Sequence, residues 1–211
     1  HFNKIYEIPF KNIGVITGPC HAEEIALEKQ SYLTIASPNL ETAQSFANLL
    51  QSRFMQAHSI GDLYGVEYCA VIKNIIAIAC GITRGLGFGD NFQAVLVSNA
   101  MQEIKEFLDK VYPEKNRDLN SSGYLGDLLV TAYSQFSRNR TFGNMLGRGY
   151  SVKSAQIEMN MIAEGYYAVK SIYLISKEHG LQLPIIDAVY NIVYEKASPK
   201  EEMGKLKGFL K

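Results

Sequence analysis

The sequence predicts a mainly helical protein that opens with a small α/β layer, and three observations carry that expectation. In the first 60 of its 211 residues, short β-rich runs alternate with helical patterns. Beyond Gly61-Asp62 the hydrophobic period becomes helical and stays so to the C-terminus, interrupted by short connections, several with glycine. A hydrophobic fraction of 47% against 20% charged residues is enough for a real core and argues against disorder.

Taken in order, Ile13-Gly-Val-Ile-Thr-Gly-Pro19 reads as a strand stopped by a turn, with a helix carrying Ala22 to Leu27 after it. Ser31 to Ser37 reads as a buried strand and Leu40 to Gln51 as an amphipathic helix with Leu40, Ala43, Phe46, Ala47 and Leu50 on one face. Phe54 to Ser59 makes a third short strand. Strands alternating with helices imply a parallel layer, and three strands make a small one, like the tail of a larger sheet. A domain boundary is expected near residue 60, giving 1–60 as α/β remnant and 61–211 as helical domain. Helices are expected at about 65–84, 91–111, 124–133, 138–147, 151–179 with a break, 184–195 and 198–209. Gly180 stops one of them, and Ser198-Pro199-Lys-Glu201 reads as N-cap, N1 proline and capping-box glutamate of the last.

Charge and cysteine content exclude several functions. Twenty-one basic residues balance 21 acidic ones, so no global field favours nucleic acid or an anionic membrane surface, and an anion must be met locally. Cys20, Cys69 and Cys80 are an odd number without CxxC spacing, which speaks against a disulfide framework and a structural zinc site and for a reducing, cytoplasmic setting. The histidines His1, His21, His58 and His179 form no ligand spacing, so no metal is expected. Because Lys73 and Asn74 split the most apolar run, no membrane-spanning segment is expected either.

That run, Gly65 to Gly81, contains the most informative residue. On a helix Lys73 is flanked three and four positions away by Cys69, Ala70, Ile76 and Ala77, none of which can pair with an ammonium. Burying the charge alone is costly, so Lys73 either reaches water along its stem or meets a distant partner in a site.

Further along, Gly85-Leu-Gly87-Phe-Gly89-Asp90-Asn91 follows a helix rather than a strand, so it reads as a tight helix connection with Asp90 or Asn91 as N-cap, not as a dinucleotide loop. Asp127 and Thr131 stand one turn apart and face the same way on a helix. Ser137, Arg138 and Asn139 follow as a block. If they open a helix, its N–H groups, a guanidinium and two neutral polar side chains suit a phosphate; the plainer alternative is an N-cap serine beside surface arginines. The polar stretch Pro113 to Ser122 reads as a solvated loop.

Several blocks together resemble one family. Gly18-Pro19 with His21-Ala22-Glu23-Glu24, Gly65-Val-Glu with Lys73-Asn74-Ile-Ile-Ala-Ile-Ala and Gly81, and Gly85-Leu-Gly87 with Gly89-Asp90-Asn91 are similar to bacterial NAD(P)-dependent glycerol-3-phosphate dehydrogenase. So are Gly126-Asp127-Leu with Thr131, Ser137-Arg138-Asn139-Arg140 with Gly143, Ile162-Ala-Glu164-Gly165, and Pro184-Ile with Ala188-Val-Tyr190. The resemblance covers nearly the whole chain, departing at Cys20, where the family usually has serine, and at Ser121-Ser-Gly-Tyr-Leu-Gly126, where it is richer in glycine.

The resemblance implies a helical substrate-binding domain like the C-terminal domain of 6-phosphogluconate dehydrogenase, preceded by the last β/α units of a Rossmann-type domain. It also implies that roughly the first third of the enzyme, with its GxGxxG loop, is absent and that the chain alone barely turns over. The implied reaction interconverts sn-glycerol 3-phosphate and dihydroxyacetone phosphate with NAD or NADP, supplying glycerophospholipid precursor. Lys73 is the implied general acid/base, with Asp127 as its electrostatic partner: burial favours the neutral amine and the carboxylate favours the ammonium. Gly18, Cys20, Lys73, Asn74, Asp127, Thr131, Ser137, Arg138 and Asn139 are the implied substrate residues. Ala22, Arg138, Ile162 and Glu164 are the implied cofactor residues, with Ile162 as core and Glu164 as a first-turn surface residue the plainer readings. The implied partner is a small phosphorylated substrate, with a homodimer as a further expectation. Two alternatives remain open: another hydroxyacid or sugar-acid dehydrogenase, which the Ser137-Arg138-Asn139 block argues against, and a non-catalytic helical binding or dimerisation module.

Overall fold

A computed structural model describes residues 2–159, 161 and 163–211. The chain forms two compact units, residues 1–70 with 114–128 and residues 71–113 with 129–211. The first unit therefore extends past the composition change at residue 60 and takes back a later segment.

In the first unit, α1 (Phe2–Tyr6) and a 3₁₀ turn (Phe10–Asn12) lead into β1 (Val15–Thr17), α2 (Ala22–Ala26), β2 (Ser31–Ala36), α3 (Leu40–Leu50) and β3 (Met55–Ile60). The sheet order is β1-β2-β3. β2 and β3 are parallel, with Leu33 opposite Ala57 and Ile35 opposite Ser59, and α3 supplies the crossover. β1, expected in a parallel layer, is instead antiparallel to β2, pairing Val15 with Ala36 and Thr17 with Thr34. The physical reason is the link: residues 18–30 contain only the five-residue α2, so β2 begins at the end where β1 stops. Leu33, Ile35, Ala43, Ala47 and Ala57 form the core. The buried stripe of α3 is narrower than its pattern implies, because three strands cover only part of that face; Leu40 and Phe46 remain 56% and 52% exposed.

The last pieces of this unit are the start of α4 (Leu63–Gly85), the segment 114–121 and a π-helical turn, Ser122–Gly126. The loop expected to be solvated is exposed over residues 113–116, while Arg117, Leu119, Ser121 and Ser122 are partly buried and the Arg117 side chain is only 3% exposed. Its Nε donates to Asp62 Oδ2 at 2.6 Å and its Nη2 to Oδ1 at 3.3 Å. Tyr124 Oη donates to the same carboxylate at 2.6 Å, and the Gly65 N–H at 3.0 Å, so Asp62 also caps the first turn of α4. Burial works to raise the Asp62 pKa, but these donors outweigh it and hold the carboxyl below its ordinary range. A Cβ at Gly65 would stand 2.1 Å from Asp62 Oδ2 and 2.6 Å from Arg117 Nε, so a side chain there would push this ion pair aside.

The second unit is all helix: the rest of α4, α5 (Asp90–Val111), the end of α6 (Asp127–Tyr133), α7 (Arg138–Gly147), α8 (Val152–Glu158), α9 (Gly165–Glu178), α10 (Pro184–Val193) and α11 (Pro199–Leu206). The expected break lies between α8 and α9. α4 is the core element, with Ile72, Ile75, Ile76, Ile78 and Ile82 fully buried. Contrary to expectation, its 23 residues are long and apolar enough to cross a membrane, with a mean hydropathy of 1.6 over the best window despite Lys73 and Asn74. In the protein 67% of that window is buried, as for a core helix.

α4 and α7 pack at backbone contact. A Cβ on Gly143 would lie 2.0 Å from the Ile78 carbonyl, and one on Gly147 2.3 Å from that of Ile82. A methyl at Gly81 would meet the Arg140 carbonyl at 2.1 Å. The partners advance together in steps of four, 143 with 78 and 147 with 82, so the two helices run side by side in the same direction.

Helix ends follow the signals in part. Gly180 (φ +68°) closes α9 as expected, with the Leu181 and Gly180 N–H groups donating to the Ser176 and Lys177 carbonyls. The N-cap of α5 is Gly89, not Asp90 or Asn91, and Ser198 stands at the N-cap of α11 without a side-chain capping bond. α10 begins with Pro184, and the N–H groups of Ile185 and Ile186 donate to Glu103 of α5 at 2.7 and 3.3 Å. Burial pushes the Glu103 carboxyl up to about 8 against the pull of those two donors.

Candidate functional site

The second unit holds six of the nine expected substrate residues, Lys73, Asn74, Thr131, Ser137, Arg138 and Asn139, and the α4/α7 seam brings two of them, Asn74 and Asn139, into contact. Continuing its step of four backwards pairs residue 139 with residue 74, and there Asn139 Nδ2 donates to Asn74 Oδ1 at 3.0 Å. Asn139 is 4% exposed, and its own Oδ1 accepts the Gly165 N–H at 2.8 Å, tying the start of α9 to the seam. A side chain at Gly165 would meet the Asn74 carbonyl at 2.7 Å, so the three segments touch without room for a methyl group.

Lys73 precedes Asn74 on α4 and is half-buried, neither sealed in the core nor fully in solvent. Ser137 is the N-cap of α7, accepting the Arg140 N–H at 3.3 Å, as the plainer sequence reading has it. That role also places Arg138 and Asn139 in the first helical turn, where unsatisfied N–H groups and the positive end of the helix dipole favour an anion. Arg138 Nη2 pairs with Glu164 Oε1 at 3.0 Å at the surface, so both expected cofactor residues with described positions in this unit meet each other. Thr131, on α6, is buried at 8% exposure. Ile162 lies outside the described residues.

The first unit gathers the others. Gly18 takes φ +126°, and a Cβ there would come within 2.4 Å of the Tyr32 carbonyl, so only glycine fits the turn after β1. Asp127, 2% exposed at the start of α6, accepts a hydrogen bond on Oδ2 from the Thr17 hydroxyl. Cys20 is half-buried within electrostatic reach of Asp127; burial pushes its thiol up, a hydrogen bond with Ser31 pulls it down, and the Asp127 charge adds to the rise. A thiol so placed stays protonated at neutral pH and is a poor nucleophile. Ala22 is exposed at the first position of α2.

Two contacts in these clusters carry no signal in the sequence. Thr17 is 110 positions from Asp127, and only strand pairing and the return of residues 114–128 bring them together. Gly165 belongs to a resembling block, yet its N–H as partner of Asn139 follows only from packing. The glycines four apart, 81 with 85 and 143 with 147, were the available sign of a close helix pair.

Chemically, the second unit offers an amine, a carboxamide held by a second carboxamide, a serine hydroxyl, a guanidinium and a helix N-terminus. That set suits a small oxygen-rich anion. Arg138 with Glu164 supplies a donor and an acceptor at the surface, a combination that fits the phosphates and ribose hydroxyls of a dinucleotide.

Comparison with known proteins points to one family. Residues 62–204 match the family model described as NAD-dependent glycerol-3-phosphate dehydrogenase C-terminus. The chain is 40% identical over 194 residues to glycerol-3-phosphate dehydrogenase [NAD(P)+] of an Exiguobacterium species, covering 92% of this chain and 57% of that protein. It is 36% identical to the enzyme of the same name from Staphylococcus carnosus, covering 93% and 59%. Among solved structures, glycerol-3-phosphate dehydrogenase from Coxiella burnetii superposes with a TM-score of 0.87 at 32% identity over 92% of this chain and 59% of that one. The chain thus spans somewhat more than half the length of these relatives.

Proposed function

Since the chain belongs to the family of NAD-dependent glycerol-3-phosphate dehydrogenase C-termini, we propose that the protein carrying it interconverts sn-glycerol 3-phosphate and dihydroxyacetone phosphate with NAD or NADP, providing the glycerophospholipid precursor. The observation that carries the reading is the half-buried Lys73-Asn74 pair on an apolar core helix, locked by Asn139 to the helix N-terminus that bears Ser137 and Arg138.

Lys73 takes the C2 hydroxyl proton when the alcohol is oxidised and returns it to the C2 oxygen when the ketone is reduced. The dinucleotide, when bound, accepts or supplies the hydride at C2. Ser137, Arg138 and the first-turn N–H groups of α7 hold the phosphate end, which fixes the reacting carbon by tethering the unreactive part of the substrate. Thr131 orients substrate oxygens. By the family pattern Asp127 assists catalysis, Gly18 and Cys20 contact substrate, and Ala22, Ile162 and Glu164 join Arg138 in holding the cofactor. A reducing, cytoplasmic setting suits three free cysteines.

The test is oxidation of reduced nicotinamide by the protein in the presence of dihydroxyacetone phosphate. Lys73→Ala is expected to lower kcat by about a thousandfold, as removal of a general acid/base does. Full activity in that variant would refute the role of Lys73, and a preference for an unphosphorylated hydroxyacid would refute the substrate class.

A further inference from the structure

The second unit also holds a cavity of about 700 Å³, between the α7–α8 connection and the end of α10. None of the described residues expected to meet substrate or cofactor lines it. Its size is that of sites that enclose a small organic molecule. The floor is aliphatic, with Leu146, Ile192 and Val193 only 2%, 3% and 4% exposed. One wall is aromatic and fixed. The Tyr194 hydroxyl donates to the Tyr166 carbonyl at 2.8 Å, and its ring stacks on those of Tyr166 and Tyr190 with centroids 5.2 and 5.3 Å apart. A ring already stacked on two others offers a ligand its edge rather than a free face, which favours an aliphatic body over a planar aromatic one. Burial pushes the Tyr194 phenol up to about 12, so this wall bears no charge at neutral pH.

The charges around the cavity have one sign. Lys153 on α8 and Lys196 after α10 both line it, and among the described residues no carboxylate does. In a chain whose charges balance overall, a site with cations alone is a local exception that suits an anion. Lys196 also has an unusual backbone. It takes φ +58°, and the Ala197 N–H beyond it donates to the Asn191 carbonyl at 3.0 Å, the closing bond of a helix end at which glycine is the usual residue. Both lysines are exposed, so their stems cover apolar wall while their ammonium groups stay at the wet rim.

We propose that this cavity is a second binding site, which takes an amphiphilic anion: an unbranched aliphatic chain lies over Leu146, Ile192 and Val193, and its anionic head, a carboxylate or a phosphate, sits between Lys153 and Lys196. The two ends are recognised by different physics. Covering the floor takes apolar surface of chain and protein out of water, which supplies affinity without direction. The two ammonium groups supply the selectivity, since they attract an anionic head and leave a neutral one in water. The site goes beyond the reaction proposed above and does not rest on it.

The test is calorimetric titration of the protein that carries this chain with decanoate and, separately, with decyl phosphate, each below the concentration at which it forms micelles. Saturable binding of at least one of them is expected, and the tighter of the two identifies the head group. Dihydroxyacetone phosphate should not displace it. Lys196→Gly keeps the left-handed turn while removing one ammonium, and Lys153→Met removes the other from the exposed side of α8. Each is expected to weaken binding about fivefold, and the two together about twentyfold. The thermal midpoint of Lys196→Gly should be no lower than that of wild type, because glycine is favoured at that turn. Decanol, which has the chain without the charge, should bind wild type and the double variant alike. The proposal is overturned if neither anion binds saturably, if the double variant binds them as tightly as wild type, or if dihydroxyacetone phosphate competes, which would put the ligand among the substrate residues. Because the readout is binding, a protein inactive on dihydroxyacetone phosphate counts against the reaction and leaves this result standing.

Discussion

One polar cluster in each unit, that of Asp62 and that of Asn139, is held by opposite means. In the first, a charged carboxylate, Asp62, gathers a guanidinium, a phenol and a backbone N–H. In the second, Asn74, Asn139 and the Gly165 N–H form a chain of neutral groups, aligned by helices in backbone contact. The charged cluster gains its strength from attraction and tolerates some change of shape, while losing it when a charge is removed. The amide chain gains little from any single bond and depends on geometry, so it is sensitive to added volume instead. Neutral amides also keep their hydrogen-bond pattern over a wide pH range.

The largest expected effect breaks the first arrangement. Arg117→Ala leaves the Asp62 carboxylate, 11% exposed, without its guanidinium, and should cost about 3–4 kcal/mol in urea unfolding. Peptide-resolved hydrogen exchange should place the loss around residues 62–65 and 114–128; unchanged protection there would mean the charge contributes little. Gly143→Ala addresses the second arrangement, adding a Cβ 2.0 Å from the Ile78 carbonyl, and should cost about 2–3 kcal/mol. Its loss of protection is expected in α4 and α7, with the Asn74–Asn139 contact, and hence activity, going with it. A variant as stable as wild type would show that the seam has slack.

The mildest test is pH, where the two units should respond with opposite sign. Asp62 sits below the ordinary carboxyl range, so its stabilisation is present above the unfolded value of about 3.9 and is lost as pH falls through the folded value. Glu103 is pushed up to about 8, so the stability linked to its proton is full below the unfolded value of about 4.3 and lost as pH rises toward 8. Stability of the second unit should decline between those limits with a slope of at most about 1.4 kcal/mol per pH unit. Glu103→Gln keeps an acceptor for the α10 N–H groups and should flatten that slope; an unaltered slope would assign the dependence elsewhere.

Period and punctuation made the helices legible: α4, α5, α7 and α9 to α11 lie within a few residues of where hydrophobic spacing and the Gly and Pro signals put them. Lys73 stood out because one cation among isoleucines and alanines breaks the local pattern, and Ser137 because a helix start favours its chemistry. The direction of β1, the burial of Arg117 and the hydrogen bond from Thr17 to Asp127 were not legible, because each depends on which distant segment returns beside it.

The sequence by itself determined the family, the mainly helical character and the types of side chain the site contains, since those follow from residue identity and local spacing. Tertiary structure alone decided how they are aimed. Glycine spacing on α4 and α7 allows a close contact, but only the folded pair sets the register that places Asn139 against Asn74 and the Gly165 N–H against Asn139. The physical reason is range: periodicity acts over a few residues, whereas this chain of bonds joins positions 65 and 26 residues apart, and directionality enters only when backbone donors and acceptors meet in space.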